Sequence, residues 1–361
     1  MGSLFPSSLT ADEVYTLEFC RQWLSGQDSF VVKTSGSTGE PKPITLRREQ
    51  LCKSARLTGR YLGLQRGDKA LVCLSTQHIA GMMMLVRGFE LSLSLTIVDV
   101  TGNPLAAFPE DAEFQFTALV PLQMQGILAA SPPKLAILER MKAILIGGAP
   151  VLDDLAEAFK ALSAPVYHTY GMTETASHIA LRRLNGDRAS DYFTPLAGVE
   201  LGLDEDGCLT IRSAVTGFET LHTRDRVELQ PDGSFRWLGR IDNVINSGGV
   251  KIQIERVEAI LSRSFQIVQA GVLAGRRFFV GPMPDPRLGQ RVAIIMEGEP
   301  LSQEMEAAVR RELLATSSLR QYEIPRYFGF VHQFLETPTG KVDRRANLRM
   351  LTKRDSSGNI D

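Results

Sequence analysis

From Phe30 to Tyr167 the chain repeats one unit, a short apolar run followed by a segment of helical period, and that repetition leaves few architectures open. Phe30–Val32 reads as a strand running into a Ser/Thr/Gly loop, and after Pro41 a helix carries Leu51, Ala55, Thr58 and Leu62 on one face. Ala70–Leu74 reads as a strand, Ile79–Leu91 as a helix and Leu95–Val98 as a strand. Ala118–Val120 is a strand, with Pro121 at the first helical position, where its missing N–H costs nothing. Ala143–Ile146, a helix over Leu152–Leu162 and a strand at Pro165–Tyr167 complete the series. Parallel strands need crossover connections, so this pattern predicts a mostly parallel sheet covered by helices.

The texture changes near Leu196. Leu209–Arg212 and Phe235–Leu238 alternate, and Asp206-Gly207 and Asp232-Gly233 interrupt them, which predicts a small antiparallel, barrel-like section. After Gly239 come a tight turn at Asn246–Gly249, a helix over Glu255–Phe265, mixed strands and a helix over Gln303–Leu314. The expected architecture is α/β: a large N-terminal domain, residues 1–240, followed by a small α+β C-terminal domain, residues 241–361.

Composition excludes several classes. With 361 residues, 43% hydrophobic and 22% charged, the chain can bury a core without disulfide or metal staples. A formal charge of −1 gives no reason to expect nucleic acid or an anionic membrane as partner. Cys20, Cys52, Cys73 and Cys208 stand in no metal-binding or redox spacing and read as reduced thiols. The N-terminus has no basic and apolar leader, and the most apolar stretch, Ile79–Val86, is cut by Arg87. The expectation is a cytoplasmic protein without membrane insertion; a homo-oligomer stays open.

Four segments carry chemistry. Thr34-Ser-Gly-Ser-Thr-Gly-Glu-Pro-Lys42 combines glycines that permit close backbone approach, four hydroxyls and a cationic end, the composition of a phosphate cradle and also of an ordinary surface loop. It lacks the frame of a Walker A loop. Tyr170-Gly-Met-Thr-Glu-Thr175 follows a strand and sets one carboxylate among hydroxyls, which suits either a hydrated Mg²⁺ or a helix start capped by Thr173. Gly239-Arg-Ile-Asp242, leading to Ser247-Gly-Gly249, is a hinge or a solvated turn. Pro338-Thr-Gly-Lys341 puts a lysine on a loop.

Their order along the chain is informative. With Gly147–Pro150 and His222–Asp225, these segments resemble the core motifs of the adenylate-forming superfamily, which holds acyl-CoA synthetases, peptide-synthetase adenylation domains and luciferases. The resemblance runs from about Val31 to Leu348. It implies that Thr34, Ser35, Gly36, Ser37, Thr38, Gly39 and Lys42 hold the β- and γ-phosphates of ATP. Gly148, Ala149, Tyr170, Gly171 and Thr173 would frame the nucleotide, and Asp225 would accept from the ribose hydroxyls. Glu174 would hold Mg²⁺, Arg240 would support the nucleotide, and Lys341 would reach the α-phosphate and the acid. Asp242 matches the hinge, while Gly248 and Gly249 match the edge of the CoA tunnel.

Leu145–Pro150, Tyr167–Ser177 and Ser75–Gly81 are further similar to the short o-succinylbenzoate–CoA ligases of menaquinone biosynthesis. That likeness implies His78 and Arg87 as acid-binding residues; a helix arginine also snorkels to solvent. Three features depart from the pattern: only 33 residues precede the phosphate loop, Asp225 follows Thr-Arg rather than Thr-Gly, and Ala80 stands where a Ser can follow the gating His. Part of the usual N-terminal sheet is therefore expected to be absent or replaced. A ligase for another aryl or acyl acid, an adenylation domain serving a carrier protein, and a non-catalytic nucleotide-binding relative remain alternatives.

Overall fold

The structure, a computed structural model, describes residues 9–33, 42–130, 132–151, 153–265, 273, 275–337 and 342–356. Its first elements are α1 (Ala11–Leu24) and an antiparallel hairpin, β1 (Ser29–Lys33) and β2 (Pro43–Arg47), followed by α2 (Arg48–Leu62). The sequence reading runs from the loop straight into α2 and misses β2. Ile44 and Thr45 are β-branched, and β2 satisfies the backbone of β1 residue for residue, from Ser29 opposite Arg47 to Lys33 opposite Pro43. A Thr10–Glu13 capping box starts α1, with Glu13 N–H donating to Thr10 Oγ1 at 3.2 Å and Thr10 N–H to Glu13 at 2.7 Å. That T-x-x-E signal was readable in the sequence.

The central sheet then forms: β3 (Lys69–Val72), α3 (Ile79–Leu91), β4 (Ser94–Ile97), β5 (Phe116–Leu119), α4 (Pro121–Leu128), α5 (Pro132–Glu139), β6 (Ala143–Ile146), α6 (Asp153–Phe159), β7 (Val166–Gly171), β8 (His178–Arg183) and β9 (Thr194–Pro195). The strand order is β4-β3-β5-β6-β7-β8-β9, parallel through β7 and antiparallel beyond it. Its faces are covered by different helices. Met82, Met83, Leu85 and Val86 of α3 and Leu51 and Ala55 of α2 fill one side; Met124, Ile127, Ile137 and Phe159 of α4, α5 and α6 fill the other. Both faces are buried, so β5 and β6 read as unbroken apolar or small runs, buried at every residue.

The expected antiparallel section is a four-stranded meander: β10 (Glu200–Leu203), β11 (Cys208–Arg212), β12 (Leu221–Leu229) and β13 (Phe235–Arg240). After it come β14 (Val244–Ser247), β15 (Val250–Gln253), α7 (Ile254–Ser264), β16 (Phe278–Asp285), β17 (Gly289–Glu297), α8 (Gln303–Thr316), β18 (Tyr327–Val331) and α9 (Arg344–Ser356). Their sheet runs β15-β14-β17-β16, with β18 parallel to β17, and has its own core around Ile245, Val257, Leu261 and Ile294. Gly248 and Gly249, at φ of 58° and 84°, form the two-residue turn between Ser247 and Val250, a conformation that excludes most side chains. Among the described residues no helix is long and apolar enough to cross a membrane.

Near the N-terminus, Trp23 of α1 packs on Phe19, Phe30 and Phe89, with the Arg48 guanidinium 4.0 Å over its ring. Trp23 thereby joins α1, the β1–β2 hairpin and α3. Trp23→Ala is expected to cost about 3–5 kcal/mol, read as a lowered urea midpoint in circular dichroism; an unchanged midpoint contradicts that packing role.

Candidate active site

Because β3 to β7 are parallel, their carboxyl ends share one edge of the sheet. The order reverses at β3, between β4 and β5, and a doubly wound sheet opens its ligand crevice outside the strand ends near such a reversal. Every described motif residue of the large sheet sits on that edge. His78 follows β3, Gly148 and Ala149 follow β6, and Tyr170 and Gly171 end β7, with Thr173 and Glu174 in the next turn.

The segment before His78 is held by α1. Asp12 accepts from Ser75 Oγ at 2.5 Å and from Thr76 N–H at 3.4 Å, while Thr16 and Thr76 share a hydrogen bond of 2.7 Å. His78 then serves as the residue preceding α3, extended at φ −111°, its carbonyl accepting from Met82 N–H at 3.0 Å. Arg87 lies nine residues on, about 13 Å along the helix axis. The sequence-predicted acid-binding pair therefore stands at two levels of one helix rather than side by side.

Arg87 does not reach solvent, as a snorkelling arginine would; it is 2% exposed. Its Nη2 donates to Ser177 Oγ at 3.0 Å, its Nη1 meets Met84 Sδ at 3.6 Å, and its Nε has no partner. Among the described residues no Asp or Glu pairs with it, and burial lowers its pKa to about 10. A cation in this state carries an uncompensated desolvation cost of several kcal/mol. Among the described residues the guanidinium is thus left with a neutral hydroxyl, a thioether and an open Nε.

The partner of Arg87 belongs to the turn after β7. Met172 N–H donates to Thr175 Oγ1 at 3.0 Å, so Thr175 rather than Thr173 caps the single turn Thr173–Thr175. Gly171 is packed so that a Cβ would come 2.3 Å from the Ser177 carbonyl, which explains a glycine there. Thr173 is buried and Glu174 exposed, so one carboxylate projects from the turn that leads into Ser177, the Arg87 partner. Among the described residues no three metal-ligating side chains cluster. One exposed carboxylate fits Mg²⁺ held mainly by substrate phosphates.

On the other flank, Asp225 of β12 is buried and doubly engaged. Tyr170 Oη donates to Oδ2 at 2.7 Å and Trp237 Nε1 to Oδ1 at 3.2 Å. Burial and the Asp225 charge push the Tyr170 phenol far above its ordinary pKa, so it keeps the proton it donates to Asp225. Arg240 stands opposite Asp225 in the strand register, its Nη1 4.0 Å from Oδ1. The same guanidinium grips Asp242 through two bonds of 3.0 Å, which holds the Asp242 carboxyl below its usual range. Trp237 is a site residue that sequence reasoning missed; its alternation in β13 placed it correctly, but nothing in the sequence pointed its indole at Asp225. Thr34, Ser35, Gly36, Ser37, Thr38 and Gly39 lie outside the described residues, as do Leu152 and Lys341. Lys42 and the exposed Gly248 and Gly249 lie at the start of β2 and at the β14–β15 turn.

A doubly wound sheet whose strand ends carry an exposed glutamate and a tyrosine bound to a buried carboxylate is the arrangement of an adenylate-forming enzyme. Comparison with known proteins agrees. Residues 17–216 match the family model described as AMP-binding enzyme. A probable 2-succinylbenzoate–CoA ligase of Mycobacterium tuberculosis is 30% identical over 349 residues, covering 89% of this chain and 84% of that protein. The crystal structure of an acyl-CoA synthetase (AMP-forming)/AMP-acid ligase II-like protein from Dyadobacter fermentans is 41% identical with a TM-score of 0.62, covering 96% of both chains. The o-succinylbenzoate coenzyme A synthetase of Bacillus subtilis, solved with ATP and magnesium ion, shares the fold at a TM-score of 0.66 and 21% identity, covering 87% of this chain and 68% of that one. The chain belongs to the AMP-binding enzyme family, as an acid–CoA ligase.

His168 of β7 offers a pH test of the site's packing. Burial first, then the Arg182 charge, lowers its pKa to about 3, against an ordinary 6.5, while its imidazole meets the backbone of Ala149. Between those values the unfolded chain binds a proton that the folded chain refuses. Stability therefore rises with pH across that window and is lost as pH falls through it. His168→Gln is expected to flatten the dependence of the urea midpoint on pH between 4 and 6.5; an unchanged slope means that His168 is protonated in the folded enzyme.

Proposed function

We propose that this enzyme is an o-succinylbenzoate–CoA ligase of menaquinone biosynthesis, with Arg87 binding the carboxylate that does not react. The observation that carries this reading is the buried Arg87 guanidinium, which has no acidic partner among the described residues and is hydrogen-bonded to Ser177, three residues after Glu174. The substrate holds two carboxylates. One must stand at the α-phosphate, so the other needs a cation deeper in the pocket. Met82, Met83 and Met84, all buried on α3, belong to the adaptable apolar packing around that helix. The names of the relatives support the same substrate.

The chemistry needs no covalent enzyme intermediate. A substrate carboxylate oxygen attacks the α-phosphate of ATP, pyrophosphate leaves, and the thiol of CoA then displaces AMP from the acyl carbon. Positioning and charge stabilisation do the work. Thr34–Gly39 and Lys42 hold the β- and γ-phosphates, Lys341 meets the α-phosphate and the reacting carboxylate, and Asp225 accepts from the ribose. Gly148, Ala149, Tyr170, Gly171 and Thr173 frame the nucleotide. Glu174 would hold Mg²⁺, which when bound neutralises charge on the departing pyrophosphate.

Residues 1–240 and 241–361 act as two domains about a hinge at Asp242. Arg240, which bridges Asp225 and Asp242, links the nucleotide side to the hinge. Gly248 and Gly249 line the CoA path in the thioester-forming arrangement. His78 gates the acid pocket.

Arg87→Ala tests the substrate. It is expected to lower kcat/KM for o-succinylbenzoate about a hundredfold or more, and to change the same constant for benzoate-like acids far less. Equal losses on both acids assign Arg87 a structural role. A wild-type enzyme that ignores o-succinylbenzoate overturns the substrate assignment and leaves the acid–CoA ligase class standing.

A further inference from the structure

Arg87 is not held alone. Behind it a chain of side chains crosses the core from α3 through the turn after β7 to α2, and its protons can be placed by donor accounting. Arginine only donates, so at the 3.0 Å contact Ser177 Oγ accepts from Arg87. The single Ser177 proton is then left to donate, and His178 Nδ1 lies 3.4 Å away. From the other end, Thr58 Oγ1 lies 3.0 Å from the Ser54 carbonyl, which only accepts, so the Thr58 proton goes there. With the Thr58 proton placed there, the hydroxyl oxygen accepts at the 3.0 Å contact between Thr58 Oγ1 and His178 Nε2, and Nε2 carries hydrogen. A neutral imidazole protonated at Nε2 has a bare Nδ1, which is the acceptor that Ser177 requires. Both ends of the chain favour the same tautomer.

The backbone leaves Ser177 little other freedom. Its N–H donates to the Thr175 carbonyl at 2.6 Å and its own carbonyl accepts from Thr175 Oγ1 at 2.7 Å, beside Ala176 at φ 59°. Only the hydroxyl can turn, and His178 decides which way. An imidazolium would place a second proton against Ser177 and a second charge near Arg87. Burial and the Arg87 charge both hold the ring well below its ordinary pKa.

We propose that His178, fixed as the neutral Nε2–H tautomer by Thr58, is a positioning residue for substrate recognition: it turns the Ser177 hydroxyl so that Ser177 accepts one Arg87 N–H and the remaining guanidinium donors stay available to a substrate carboxylate. This rests on the reading of Arg87 as the carboxylate-binding residue. His178 does not touch substrate; it acts through Ser177.

Two measurements on the full-length enzyme test it. Long-range ¹H–¹⁵N spectra of the histidine rings, with His178 assigned by its loss in His178→Leu or His178→Asn, are expected to show the Nε2–H form unchanged between pH 5.5 and 8. An Nδ1–H form or an imidazolium in that range overturns the proposal. In kinetics, His178→Leu is expected to raise KM for o-succinylbenzoate about tenfold with kcat within about twofold, and to leave benzoate-like acids unaffected. His178→Asn, which restores an acceptor beside Ser177, recovers most of the loss. Equal effects on both acids, or no rescue by Asn, overturn the positioning role. Should the Leu variant fail to fold, the Asn variant and the wild-type spectrum decide. If the wild-type enzyme ignores o-succinylbenzoate, the substrate assignment fails and the tautomer alone decides the fate of His178.

Discussion

A guanidinium inside the core, with no carboxylate beside it among the described residues, is the constraint around which this structure is arranged. Arg87 is carried there by α3, whose Met82 to Val86 are buried in the packing between the sheet and α2. Three separate segments converge on the charge: α3 itself, the turn after β7 through Ser177, and α2 through Thr58 and His178. Such a group is tolerated in a folded protein when its neighbours are fixed and when binding an anion recovers what burial cost. A loose loop could not hold it; a parallel sheet with helices on both faces can.

Polar contacts also run from the large sheet to the meander. From Tyr170 on the large sheet a continuous path of polar contacts passes to Asp225 and Trp237 on the meander, then through Arg240 to Asp242. Beyond it, Gln253 Nε2 donates to the Arg240 carbonyl at 2.7 Å, and Asn243 Nδ2 to Glu255 at 2.7 Å. Arg240 is thus the joint of the path, with one carboxylate on each side. On the opposite flank α1 fastens the Ser75–Thr76 segment through Asp12 and Thr16, and so sets the start of α3. A short N-terminal helix here does a positioning job for the helix that bears Arg87.

Much of the fold was legible because strands buried on both faces leave unbroken apolar runs. Ala143–Ile146 and Ile79–Leu91 were read with the bounds the structure has, and Pro121 marked its helix start correctly. Among the strands that escaped, β2 and β8 each lie beside a motif rich in Gly, Ser and Thr, a composition that reads as loop or cap. Pro43–Arg47 is polar on its exposed side, and His178–Arg183 follows directly on the Thr173–Thr175 turn. The site was legible as a set of residue types in order, not as geometry. No spacing reveals that Arg87 is sealed from solvent, since an arginine at the end of an apolar helix satisfies periodicity equally well pointing outward. Trp237 carried no signal, and His178, without metal-ligand spacing, reads from the sequence as a structural histidine. Each contacts a partner distant in sequence, Asp225 on the neighbouring strand and Thr58 on α2.

The central claim is that a carboxylate of the acid attacks the α-phosphate of ATP. It is tested most directly with acid labelled by ¹⁸O in its reacting carboxyl group, turned over with ATP, Mg²⁺ and CoA, the products being analysed by mass spectrometry. Attack on the α-phosphate followed by thiol displacement at the acyl carbon leaves one label oxygen in AMP and none in pyrophosphate. Label in inorganic phosphate with formation of ADP, or AMP without label, contradicts it.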